Sequence, residues 1–87
     1  MAIKKSNATT KSEINYEIIE ECGTVMDRKG GYALKLRYMS WNGRDPVYDL
    51  RPWKESDTGE EICGKGITMS GDELESLGGL ISTLVNS

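Results

Sequence analysis

The sequence predicts an α+β fold in which four antiparallel strands form a meander and one helix follows at the C-terminus. Three observations carry this. Residues 31–54 (GYALKLRYMSWNGRDPVYDLRPWK) read as two alternating strands joined at an Asn-Gly turn. Residues 14–26 and 64–69 give a strand on either side. From Ser70 onward the pattern changes to a helical period behind a capping box. With 87 residues the chain forms one domain at most.

Residues 1–13 (MAIKKSNATTKSE) are polar and aperiodic, and read as a flexible tail before a domain over 14–87. In the first strand Ile14, Tyr16 and Ile18 share a face. Ile18-Ile19 breaks that register, and a bulge near Gly23 is expected to return Val25 to the apolar side. Glu20 and Glu21 read as a solvated edge. Gly30-Gly31 supplies the positive φ of a tight connection.

In the central hairpin Leu34, Leu36, Tyr38, Tyr48 and Leu50 fall on one face. Lys35, Arg37, Met39, Trp41, Val47, Asp49, Arg51 and Trp53 fall on the other. Pro46 suits the start of a strand, and Pro52 predicts an edge or a bulge. Residues 55–63 read as an acidic loop. In 64–69 the glycines beside Lys65 permit close approach of backbone to a ligand. Ser70 and Glu73 form the capping box, and Leu74, Leu77, Leu80, Ile81 and Leu84 make the apolar stripe of a helix over 71–85. Gly78-Gly79 in mid-helix costs about 1 kcal/mol per residue, which predicts close packing there, on the sheet or on a second helix. The helix is expected to cover the apolar face of the sheet. A chain this small, with no Phe, is expected to oligomerise.

The net charge is −3, but its distribution is uneven. Residues 27–54 hold seven Lys or Arg against three Asp, and residues 55–87 hold one Lys against seven acids. A polyanion responds to that local field. With no His, an imidazole base or ligand is excluded, so neither catalysis, a metal nor a cofactor is expected. Cys22 and Cys63 belong to no CxxC unit and read as reduced, half-buried thiols of a cytoplasmic protein. No apolar run is long enough for a signal peptide or a membrane span.

Lys35, Arg37, Arg51 and Lys65, with Trp41 and Trp53, have the chemistry of a single-strand site: cations for phosphates and flat rings for bases. The same pattern also fits a cross-strand Trp pair packed under Arg and Lys stems, with Arg37 neutralised by Asp49. From the pattern alone both readings stand.

The KxRYxS core at Lys35 to Ser40, DLR followed by Trp at Asp49 to Trp53, and GKGI at Gly64 to Ile67 resemble the C-terminal domain of the transcriptional coactivator positive cofactor four. The resemblance is closer to the family's short bacterial single-domain members, and it spans about residues 14–86. It implies a curved Whirly-like sheet (β-β-β-β-α) in a homodimer joined through helices and sheets, with Leu77, Leu80, Ile81 and Leu84 at the interface. It implies binding of single-stranded DNA with little sequence preference, in regulation of DNA-templated transcription or another single-strand transaction. By position, Lys35, Arg37, Arg51 and Lys65 match the family's phosphate contacts and Trp53 its stacking ring. Arg44 falls in its basic hairpin loop, and Trp41 matches the bacterial members. The loop lacks the aromatic and extra lysines of the eukaryotic form, and no long Ser- and Lys-rich region precedes the domain. Transcription machinery is an implied partner, and a cytoplasmic, nucleoid-associated location is expected in a bacterium. Single-stranded RNA binding, and a protein-interaction module on the same face, are the alternatives.

Overall fold

The computed structural model describes residues 15–86; the expected tail and Ile14 lie outside them. The elements are β1 (Tyr16–Asp27), a 3₁₀ turn (Lys29–Gly31), β2 (Ala33–Trp41), β3 (Val47–Glu55), β4 (Glu61–Cys63), β5 (Ile67–Met69) and α1 (Gly71–Val85). The sheet is antiparallel in the order β1-β2-β3-β4, and β5 also pairs with β3. The meander and the C-terminal helix are therefore as the sequence predicts.

The fourth strand is split, and Pro52 accounts for the break. Gly64 N–H donates to the Pro52 carbonyl at 3.0 Å, so the donor-less Pro52 nitrogen faces the same edge. The ladder from β3 then runs to Cys63 in β4 and resumes only at Ile67 in β5. Pro52 thus lies where the pairing of β3 on this side lapses and slips by one residue, as the expected irregularity, while the strand stays paired with β2 on its other side. Glu61, Ile62 and Cys63, expected in a loop, are the first part of that split strand. Gly66 is tight against β3: a Cβ there would overlap Arg51 Cβ and the Leu50 carbonyl oxygen. The close approach expected around Lys65 is therefore to the chain's own backbone.

β1 is more irregular than its alternation suggests. Register shifts fall between Ile18 and Glu20, Glu21 and Gly23, and Thr24 and Met26. Each bulge adds twist and leaves one residue unpaired. Val25 is one of these and is exposed, and Met26 takes the place opposite Leu34. The β2–β3 turn has Asn42 at φ 54° and Gly43 at φ 76°, and Arg44 N–H donates to the Trp41 carbonyl at 3.0 Å. These are the two positive φ values of a type I′ hairpin turn.

The capping box is present: Glu73 N–H donates to Ser70 Oγ, and Ser70 N–H to Glu73 Oε1. The helix, however, does not cover the apolar face. None of its residues is buried, and it packs mainly against β3 and β5. Leu34, Leu36, Tyr38, Tyr48 and Leu50 stay half-buried. The buried apolar residues are Met39, Trp53 and Met69, and the buried charged ones are Arg37 and Asp49. Four of these five lie on the charged face, so that face is the more completely packed one.

Candidate nucleic-acid interface

The register places Lys35 opposite Arg51 and Arg37 opposite Asp49. Side chains at paired positions project to the same side, so the alternation of β2 and β3 assembles all four on one face. Arg37 is its centre. Its Nε donates to Glu21 Oε1 at 2.9 Å, and Nη1 and Nη2 donate to Glu61 Oε1 and Oε2 at 3.3 and 3.0 Å. Its Cζ lies 4.6 Å from the Trp53 ring centre. Lys35 Nζ lies 3.7 Å from Glu61 Oε2.

A second unit lies beside the first. Arg51 pairs with Asp49 through Nε and Nη2, both at 2.7 Å, and its Cζ lies 4.6 Å from the Trp41 ring centre. Trp41 Nε1 donates to Asp49 Oδ2 at 3.1 Å. The indoles of Trp41 and Trp53 are stacked, with centres 6.3 Å apart and planes 15° apart. Tyr16 tilts against both rings, at 5.3 and 5.4 Å.

Exposure separates these residues into two groups. Arg37 and Trp53 are each only 2% exposed, so they do not face solvent as the alternation suggested. The reason is the edge strands: Glu21 from β1 and Glu61 from β4 close over Arg37, and Tyr16 closes over Trp53. The cross-strand Trp pair beneath guanidinium groups is therefore the observed packing. Asp49 pairs with Arg51, not with Arg37. Trp41, Arg51 and Lys35 are half-buried, and Arg44 and Lys65 are exposed. Trp41, Arg44 and Arg51 meet around an open groove of about 250 Å³, together with Asp45, Val47 and Thr68. Lys65 lies apart, between β4 and β5.

Electrostatics follow the contacts. Burial opposes the Arg37 charge, but the hydrogen bonds to Glu21 and Glu61 raise its pKa overall. The bond from Arg37 holds the Glu21 carboxyl below the usual range. Burial, then the nearby Glu61 charge, raises the Tyr16 phenol. Cys22 and Cys63 are free and exposed, not half-buried. Among the described residues no group of His, Cys, Asp or Glu is placed to hold a metal. No helix among the described residues is long and apolar enough to cross a membrane.

Residues 33–79 match the family model described as Transcriptional Coactivator p15 (PC4). The chain belongs to this family. PC4 proteins are known for single-stranded DNA binding and coactivator roles, and the family is a non-enzymatic one. An uncharacterized protein of Treponema pallidum (strain Nichols) is 30% identical over 81 residues, covering 93% of this chain and 92% of that protein. The PC4 match begins at β2 and ends inside α1, so it includes all seven nucleic-acid-site residues named from the sequence. Tyr16 and Glu21, on β1, lie before it.

Sequence reasoning missed the roles of Tyr16, Glu21 and Glu61. Tyr16 was visible only as an apolar position. Glu21 could have been found by counting bulges, because only after one bulge does it fall opposite Arg37. Glu61 had no such signal: it comes from β4, two strands away from Arg37.

Proposed function

We propose that this PC4-family protein binds single-stranded DNA with little sequence preference on the charged face of its sheet, as a homodimer. The observation that carries this is the open groove in which Trp41 lies with Arg44 and Arg51. A base stacks on Trp41 in place of the Arg51 guanidinium that covers the ring at 4.6 Å in the free protein, and Arg44, Arg51, Lys35 and Lys65 follow the phosphates. Trp53 and Arg37 form the packed floor that fixes Trp41 and Arg51. The family's known single-strand binding supports this reading.

The helix supports the dimer. Leu80 and Ile81 are 58% and 47% exposed, Leu84 is also exposed, and the sheet's apolar face is half-covered. Among the described residues, nothing beyond the helix's own neighbouring backbone lies within 4 Å of a Cβ placed on Gly78 or Gly79. The close packing expected at those glycines is therefore not with this chain's own sheet, which leaves a second helix. Leu77, Leu80, Ile81 and Leu84 meet the partner copy in this reading. The cellular role is then regulation of transcription, or another process that exposes single strands.

The test is a titration of Trp emission with oligo-dT, oligo-U and a duplex. Oligo-dT should quench, the duplex should not, and Trp41→Ala should weaken oligo-dT binding by about 1–3 kcal/mol if Trp41 stacks on a base. Unchanged affinity in a folded Trp41→Ala would overturn the platform. Equal affinity for the duplex would overturn the single-strand preference, and tighter oligo-U binding would point to RNA.

A further inference from the structure

The charged face carries a carboxylate where an anion from outside would have to bind. Glu61 engages Arg37 through both of its oxygens, at 3.3 and 3.0 Å, and Lys35 Nζ stands 3.7 Å from Oε2. Two parallel N–H···O bonds from one guanidinium are a geometry that phosphate oxygens satisfy as readily as a carboxylate. Arg37 is 2% exposed, so an incoming phosphate reaches its Nη groups only by taking the place of Glu61.

The means of exchange are present. The Glu61 side chain is 31% exposed and sits on a three-residue edge strand, next to the loop at 56–60. Its ladder partner on β3 is Glu55, another carboxylate, which repels it. Glu21 holds Arg37 from the other side through Nε, so the guanidinium stays oriented when Glu61 leaves.

We propose that Glu61 occupies the phosphate seat of Arg37 and Lys35, and that a single strand binds there by displacing it. This rests on the single-stranded DNA reading and adds a residue that sets selectivity. One phosphate competes poorly with a tethered carboxylate. A chain of phosphates, already held at Arg44 and Arg51, competes well. Glu61 thus biases the site toward a polyanion over free phosphate or a mononucleotide.

The experiment compares wild type, Glu61→Gln and Glu60→Gln for oligo-dT affinity across a salt series. Glu60 is an exposed neighbour of the same charge and controls for net charge alone. Glu61→Gln should bind about two- to fivefold tighter, the range of a released partly exposed ion pair. Its log-affinity against log-salt slope should match that of wild type, because the same phosphate is seated in both; a slope steeper by about 0.7, one further single-strand phosphate, would mean that wild type leaves the seat to Glu61 and overturns displacement. Glu60→Gln should bind as wild type does. Affinity in Glu61→Gln that falls, stays level or rises only as much as in Glu60→Gln overturns the proposal while leaving DNA binding intact. A wild type that does not bind oligo-dT overturns both readings. Should Glu61→Gln not fold, the Glu61 carboxylate carbon resonance of wild type is followed during oligo-dT addition. A shift supports displacement, and a resonance that does not move at saturation overturns it.

Discussion

At the scale of the residue, Trp53 is where pattern and packing part company. Its alternation with Arg51 puts it on the charged face, but what covers that face comes from β1 and β4. Arg37 lies against one side of the ring, Trp41 is stacked with it and Tyr16 leans on it. An indole buried this way is a core residue in energetic terms. Trp53→Ala should cost about 3–5 kcal/mol of stability, as for other large buried aromatics. That approaches the whole stability of a small domain. Urea unfolding measures it, and a loss under about 1 kcal/mol would mean that the ring is not packed in solution. The sequence made the face legible for Lys35, Arg37, Trp41, Arg51 and Trp53 because strand periodicity is strict. It left their exposure illegible, because exposure depends on Tyr16, Glu21 and Glu61, which arrive through bulges and from two strands away.

At the scale of the element, the split fourth strand shows how two residues shape an edge. Pro52 removes the donor that would have continued the ladder, and Gly66 lets the returning chain press onto β3. The acidic composition of residues 55–63 concealed β4, since a strand of three residues is too short for a period to register. The capping box was legible because its signal is entirely local. Gly66→Ala should destabilise the fold by about 1–3 kcal/mol, the usual cost of forcing extra volume into a packed site. Because the overlap is with the backbone of Leu50 and with Arg51, the β3–β5 pairing should loosen first. Amide exchange of Thr68 and Met69 checks this: faster exchange there than in β2 is expected, and unchanged exchange would count against the close approach.

At the scale of the whole molecule, the apolar surface does not close within one chain. The buried side of the sheet is the charged one, held by guanidinium–indole stacks and ion pairs. The apolar side is half-covered, and the helix leaves Leu80 and Ile81 open. The helix stripe and the apolar face are both as the sequence predicts, but the one does not lie over the other within a chain. A fold with so few fully buried apolar side chains gains little from hydrophobic burial as a monomer. If a second copy supplies the missing contacts, folding and association are linked, and the melting temperature must rise with protein concentration by mass action. A series over about a hundredfold range in concentration should show that rise. Ile81→Glu, which sets a charge into the proposed helix contact, should lower the melting temperature and move sedimentation toward the monomer. A melting temperature independent of concentration, with a monomeric sedimentation profile, would remove the homodimer from the proposed function and leave the charged face to act from a single chain.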